Sequence, residues 1–171
     1  MTGRSGGDTV APPPTTTDMT LRTRLTDTLA RSSTAPSLLV VSDTYVGSAL
    51  AADFDAVADL ALATDRQAVA TAAPDGVRTV VGDLTTVETL AAVSDATVAV
   101  LALSRDRRTL LVAQLLRTRF GVDDVVVLLN DPDRGDVFAE TATVVCGTTR
   151  LADALGDAVE RTLSEPTESH S

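Results

Sequence analysis

From Ser37 onward, short apolar runs alternate with stretches in which apolar residues recur at every third or fourth position. The runs fit buried strands and the periodic stretches fit amphipathic helices, so the alternation predicts βαβ units and a parallel sheet. Strands are expected over 38–41, 59–64, 77–81, 96–103, 124–129 and 143–146. Helices are expected over 47–55, 66–73, 86–93, 105–120, near 133–139 and over 149–163. Asp75-Gly76 turns the chain into the third strand, and Gly121 stops the long helix. The run 96–103 is almost wholly apolar and has to be central, where both faces of a strand are covered. Right-handed crossovers then give the strand order 3-2-1-4-5 with the sixth beside the fifth. The expected fold class is α/β, a doubly wound parallel sheet of about six strands with helices on both faces.

The ends read differently. Residues 1–17 are rich in Gly, Pro, Thr and Ser and are expected to be disordered, with Met19 a candidate start. Residues 18–36 read as a short helix and linker, Asp18 capping a stripe of Leu21, Leu25 and Leu29 that is expected to lie against the domain. The α/β domain is expected over 37–163, and 164–171 as a frayed polar tail.

Composition narrows the chemistry. The chain has 171 residues, 44% hydrophobic but 2% aromatic, with no tryptophan, so its core must be built from Ala, Val and Leu. Its net charge of -10, aspartate-rich and with arginine as its only strong base, suits a salt-adapted proteome in which self-repulsion is screened. That charge argues against nucleic acid and against anionic membrane surfaces. No apolar run is long enough to span a bilayer and no secretory h-region is visible, so a cytoplasmic protein without direct membrane insertion is expected. Cys146 stands alone, excluding an internal disulfide and a cysteine-based zinc site, and the one histidine, His170, lies in the tail.

The candidate chemistry begins at Leu38-Leu39-Val40-Val41-Ser42-Asp43-Thr44-Tyr45-Val46-Gly47, a strand followed by a turn. In the G-x-G-x-x-G phosphate turn the glycines serve the tight turn, the close approach to pyrophosphate and helix packing. Ser42, Thr44 and Gly47 stand in those places here. Side chains at Ser42 and Thr44 oppose a left-handed turn and a close backbone approach, and Asp43 adds negative charge. Against this, the two hydroxyls can donate hydrogen bonds, and Gly47 is expected to open a helix whose amides attract anions. Asp65 follows Gly47 by eighteen residues, near the place of a ribose-binding acid, and reads equally as a helix cap. In Val81-Gly82-Asp83-Leu84-Thr85-Thr86, Gly82 permits a turn and Thr85 or Thr86 can cap a helix with Glu88 in its first turn. Arg105, Arg107 or Arg108 can neutralise charge in the cleft if turned inward.

These segments together resemble a known family. Val81-Gly82-Asp83-Leu84-Thr85 with Leu90 is similar to the V-G-D-x-T-x-x-x-x-L pattern of the TrkA-N, or RCK N-terminal, regulators of potassium channels and transporters. Leu101-Ala102-Leu103-Ser104-Arg105-Asp106 resembles that family's loop after the fourth strand, and Leu110-Leu111-Val112 its following helix. Asn130-Asp131-Pro132 resembles its R-x-N-D-P, and Ala142-Thr143-Val144-Val145 its D-x-V-V-x-P, from which Cys146-Gly147 departs. The resemblance covers about residues 38–155 and implies a Rossmann-like domain that binds NAD(H) or ATP/ADP. It implies that Ser42, Asp43, Thr44, Tyr45, Val46 and Gly47 face the diphosphate. It places Asp65 and Arg66 at ribose, Gly82, Asp83 and Leu84 beside adenine, and Leu103, Ser104 and Arg105 at the cleft border. It further implies a regulatory subunit of cation transport, a homodimer partnered with a membrane transporter subunit. The chain is expected to lack the family's C-terminal RCK-C domain.

Other chemistry is less well supplied. Hydride-transfer enzymes of this shape need a positioned acid or base, and this chain has no lysine and no core histidine, which leaves an NAD-dependent oxidoreductase as the weakest reading. Tyr45 is expected to pack over the cleft mouth and Cys146 to be a small buried apolar residue. Asp131 with Asp133 and Asp123 with Asp124 read as turn and cap residues, so no metal site is expected. The helix through Leu110, Leu111, Val112, Leu115 and Leu116 carries more than one apolar stripe, and its surplus is expected to face a second copy. The alternative to the regulatory reading is a scaffold that kept the fold, lost the nucleotide and acts by protein contact.

Overall fold

In the computed structural model, which describes residues 36–164, six parallel strands form one sheet. They are β1 (Ser37–Ser42), β2 (Asp59–Thr64), β3 (Arg78–Val81), β4 (Val98–Ala102), β5 (Asp124–Leu129) and β6 (Thr143–Cys146), ordered β3-β2-β1-β4-β5-β6. The helices between them are α1 (Tyr45–Phe54), α2 (Gln67–Thr71), α3 (Val87–Ala91), α4 (Asp106–Phe120), α5 (Gly135–Phe138) and α6 (Gly147–Ser164). A 3-10 turn at Pro132–Arg134 precedes α5. This is the doubly wound arrangement, with β1 and β4 side by side where the strand order reverses. The expected disordered tail at 1–17, the helix and linker up to residue 35, and residues 165–171 lie outside the described residues.

The sheet forms where the sequence stores its apolar runs. Every residue of β4 is buried, as are Leu38 to Ser42 of β1 and Leu60 to Thr64 of β2. Leu39, Val41, Ala63, Leu101, Val127 and Leu129 join Leu84, Leu90, Val112, Leu116 and Phe138 in one core. Small β-branched and aliphatic side chains let helices lie close to the strands, which a bulky aromatic core would prevent. α4 ends at Gly121, whose left-handed backbone (φ 66°) lets the Val122 amide donate to the Leu116 carbonyl at 3.1 Å.

Some element bounds differ from the sequence pattern. The first helix begins at Tyr45 rather than Gly47, because Thr44 is extended (φ -131°) and serves as the N-cap, leaving Gly47 inside the first turn. The last begins at Gly147 and runs through Ser164, so Ser164 belongs to the helix and not to the tail. The central strand is shorter than expected because Leu103 has already left the ladder, although it stays buried.

The apolar surplus also lies elsewhere than expected. α4 buries Val112, Ala113 and Leu116, packs Leu110 and Leu115 against the core, and leaves Leu111 of its large apolar residues exposed. α6 buries none of its residues, and its Leu151, Leu155, Val159 and Leu163 all face solvent. These four are spaced by four, so they form one stripe along the helix.

Candidate functional site

The carboxyl ends of β1 and β4 open the crevice in which ligands of doubly wound sheets bind. Ser42 ends β1 and is fully buried; its Oγ lies 2.8 Å from the Ala102 carbonyl at the end of β4, to which it donates, and accepts the Thr44 amide at 3.2 Å. The hydroxyl therefore points into the fold and not into the crevice. Among the described residues only Gly121 has a positive φ, so the turn over Ser42, Asp43 and Thr44 is made without any left-handed residue. The expected steric objection to side chains at Ser42 and Thr44 does not apply to this turn. Gly47 is required for a different reason: a Cβ there would lie 2.4 Å from Ser42 Cβ. α1 packs on β1 through that contact, and no side chain caps its first turn.

Asp43 does not project its charge into the crevice. Its carboxylate accepts the Ser104 amide and the Ser104 hydroxyl, both at 2.7 Å, which ties the turn after β1 to the turn after β4. Asp65 follows Thr64, a fully buried residue whose Oγ1 accepts the Arg66 amide at 3.1 Å and so shapes the turn that presents Asp65. Arg66 itself is the extended N-cap of α2 and is exposed. Asp83 accepts the Thr85 amide (2.9 Å) and hydroxyl (2.7 Å), and these donors, with Arg108 beyond them, hold its carboxyl below the usual range. Thr86, not Thr85, is the N-cap of α3, accepting the Thr89 amide, and Glu88 sits in the first turn.

One arginine joins the three acids. Arg108 Nη1 lies 2.6 Å from Asp65 Oδ2 and 3.6 Å from Asp43 Oδ2, and its Nη2 lies 3.7 Å from Asp83 Oδ1. Its guanidinium thus lies across the carboxyl ends of β1, β2 and β3. Of the three arginines at the start of α4, this is the one turned inward. The sequence holds a signal for it, since Arg108 precedes the buried Val112 by four residues and Leu116 by eight, on the face that meets the sheet.

A second network, unforeseen from the sequence, braces the far side. Asp106 accepts the amides of Asn130 (3.0 Å) and Asp131 (2.9 Å) and the Asn130 side-chain amide (3.0 Å). Burial opposes ionisation of Asp106, but these donors outweigh it and hold the carboxyl below its usual range. Asn130 also donates to the Leu103 carbonyl, fixing the turn after β4 to the turn after β5.

The other expected site residues differ in which way they face. Leu84 and Leu103 are buried at 0% and 1% exposure in the core, so their side chains cannot line the crevice. Tyr45 is 64% exposed in the first turn of α1 and packs over little. Val46 beside it is also exposed, as are Ser104 and Arg105, the latter being the N-cap of α4. Gly82 donates its amide to the Thr64 carbonyl at 2.9 Å, and a Cβ there would meet the Thr89 hydroxyl at 2.6 Å. Cys146 is half-buried, not buried: Thr149 donates its hydroxyl to the sulfur, which, with the Thr149 and Thr148 amides, holds the thiol below its ordinary value. Asp131 is a cap residue as expected, accepting the Asp133 amide. Among the described residues, no group of three or more His, Cys, Asp or Glu is placed to hold a metal ion. No helix among them is long and apolar enough to cross a membrane.

A family model for the TrkA-N domain matches residues 39–148. Among solved structures, the chain is similar to the TrkA-N domain of inner membrane protein ybaL from Escherichia coli, at 18% identity and TM-score 0.61, over 74% of this chain and 98% of that one. It is similar at 18% identity and TM-score 0.60 to the NAD(P)-binding domain of an exopolyphosphatase-related protein from Archaeoglobus fulgidus, over 72% of this chain and 97% of that one. The GsuK channel bound to NAD matches at 18% identity and TM-score 0.53, over 75% of this chain and 26% of the channel chain. At such identities the likeness is one of fold. No curated protein matches the sequence significantly.

Proposed function

The chain belongs to the TrkA-N domain family, and from that premise we propose that it is a regulatory nucleotide-binding subunit of potassium or cation transport. Its ligand is NAD(H) or an adenine nucleotide such as ATP or ADP, bound at the carboxyl ends of β1, β2 and β3. The observation that carries this reading is the uncapped amino end of α1 at the strand-order reversal, with Asp65 at the end of the neighbouring strand. The helix dipole there favours a phosphate, and Asp65 can accept the hydroxyls of a ribose. The residues leave room for such a group: the Ser42 hydroxyl is turned inward and the Asp43 carboxylate is held by the Ser104 amide and hydroxyl. NAD bound to the GsuK channel supports the choice of ligand. The reading is one of regulation in the cytoplasm, without turnover, and the chain's net charge of -10 keeps nucleic acid out of it.

Titration of NADH, NAD, ATP and ADP in molar KCl is expected to give saturable binding of at least one. Asp65→Ala is expected to weaken it roughly tenfold or more, since a hydrogen bond to a charged group is worth about 1.5–3 kcal/mol. Flat titrations of folded protein reject the reading. One observation favours the alternative of a scaffold without nucleotide: Asp43, Asp65 and Asp83 are already engaged by Ser104, Arg108 and Thr85.

As for assembly, we infer a homodimer in which α6, more than α4, meets the second copy, alongside a membrane cation transporter as the regulated partner. Antiparallel pairing of two α6 helices about Asp157 sets Leu151 against Leu163 and Leu155 against Val159. That register matches apolar with apolar. Leu155→Glu is expected to convert a dimer to a monomer by light scattering with the fold intact by circular dichroism; an unchanged dimer moves the interface elsewhere.

A further inference from the structure

Strands lie about 4.8 Å apart, so the carboxyl ends of β1, β2 and β3 spread Asp43, Asp65 and Asp83 over roughly 10 Å. A single guanidinium spans them. Asp43 and Asp83 each have local donors, Ser104 and Thr85, that satisfy them without it. Asp65 stands apart: its carboxylate takes the shortest of the three pairings, a charge-assisted hydrogen bond of 2.6 Å from Arg108 Nη1. The side chains of the two partners are 23% and 28% exposed and the bond between them is open to solvent, so the pair feels the surrounding salt.

Resting on the nucleotide reading above, we propose that Arg108 is a resident competitor for the ribose position, and that the site admits ligands whose vicinal hydroxyls can take Asp65 away from it. The guanidinium reaches from Asp43 on one side to Asp83 on the other. Arg108 Nη1 already occupies Asp65 Oδ2, so a ribose that donates both hydroxyls to Asp65 competes with it for that oxygen, and binding exchanges one donor for the other. A base or phosphate alone gains nothing from that exchange. The displaced interaction is ionic and the one replacing it is carried by neutral hydroxyls, so added salt weakens the first more than the second. Ionic strength thereby sets how readily the site opens, which suits a regulator of ion transport in a protein of net charge -10.

The test uses adenosine, which carries the diol and no charge, and 2′,3′-dideoxyadenosine, which lacks the diol. Both are titrated against the full chain and against Arg108→Met by chemical-shift perturbation. The variant is expected to bind adenosine about threefold to tenfold tighter, the worth of about 0.7–1.4 kcal/mol, and to leave dideoxyadenosine unchanged. Raising KCl from about 0.1 M to about 1 M cuts the Debye length from roughly 10 Å to 3 Å, and is expected to tighten adenosine binding to the wild type more than to the variant. Circular dichroism at each salt confirms folding. Should Arg108→Met unfold, Arg108→Lys keeps the charge without the planar fork that bridges several carboxylates, and is expected to fall between the two. Adenosine binding that is unchanged or weaker in the variants, with NADH still bound by the wild type, overturns the competitor role and leaves the nucleotide reading intact. Absence of both NADH and adenosine binding in wild type and variants overturns both.

Discussion

Gly47→Ala is expected to destabilise the domain by about 1–3 kcal/mol, toward the upper end of what overpacking costs. The new Cβ would sit 2.4 Å from Ser42 Cβ and 2.8 Å from Ser42 Oγ. Ser42 Cβ is fixed to the backbone at the end of a buried strand and cannot swing aside, so α1 must lift from β1. The same geometry predicts a rescue. Ser42→Gly alone loses the hydroxyl that donates to Ala102 and adds backbone freedom, at a cost of about 1 kcal/mol. Combined with Gly47→Ala it removes the clash, so the double variant is expected to be more stable than the sum of the single losses by about 1 kcal/mol or more. Thermal melts of the four proteins measure this coupling; additive losses would show that the two residues do not oppose each other.

Asp106→Asn is expected to cost about 2–3 kcal/mol at neutral pH. Three donors converge on the Asp106 carboxylate, and an asparagine amide offers one acceptor oxygen and turns its own N–H groups toward a donor. The loss has a pH signature. Because the folded carboxyl is held below its ordinary range, its contribution is fully present above the unfolded value of about 3.9 and disappears as pH falls through the folded value. Wild type and variant are therefore expected to differ by a constant amount above about pH 5 and to converge below about pH 4. Other acids titrate equally in both proteins, so the difference reports Asp106. A gap that persists undiminished into acid would contradict the role assigned to its charge.

The strand order and the place of the crevice are legible in the sequence alone, because both follow from hydrophobic runs and the handedness of crossovers. The site was legible only in outline. Ser42 and Thr44 read as obstacles when each was judged by the glycine it replaces. In the fold they are parts of a turn with no left-handed residue, and Gly47 answers to Ser42 rather than to a phosphate. Leu84 and Leu103 sit within the right motifs but point into the core, which a motif position does not disclose. Asp43, read as a repulsive charge, is engaged by Ser104, sixty-one residues away in sequence. The apolar surplus assigned to the α4 helix belongs to α6, because α4 finds enough of the sheet to cover all but Leu111 of its large apolar residues.

What the sequence by itself determined is the α/β class, the topology and the family resemblance, since periodicity and chirality act locally along the chain and need no knowledge of distant neighbours. Tertiary structure alone decided which arginine enters the crevice, which acids it meets, and how Asp106 joins two turns. Those are meetings of side chains from separate strand ends, and their direction is set by helix phase and by whichever distant donor lies nearest. The sequence names Asp43, Asp65, Asp83 and Arg108, but only the folded sheet brings three strand ends beneath one guanidinium.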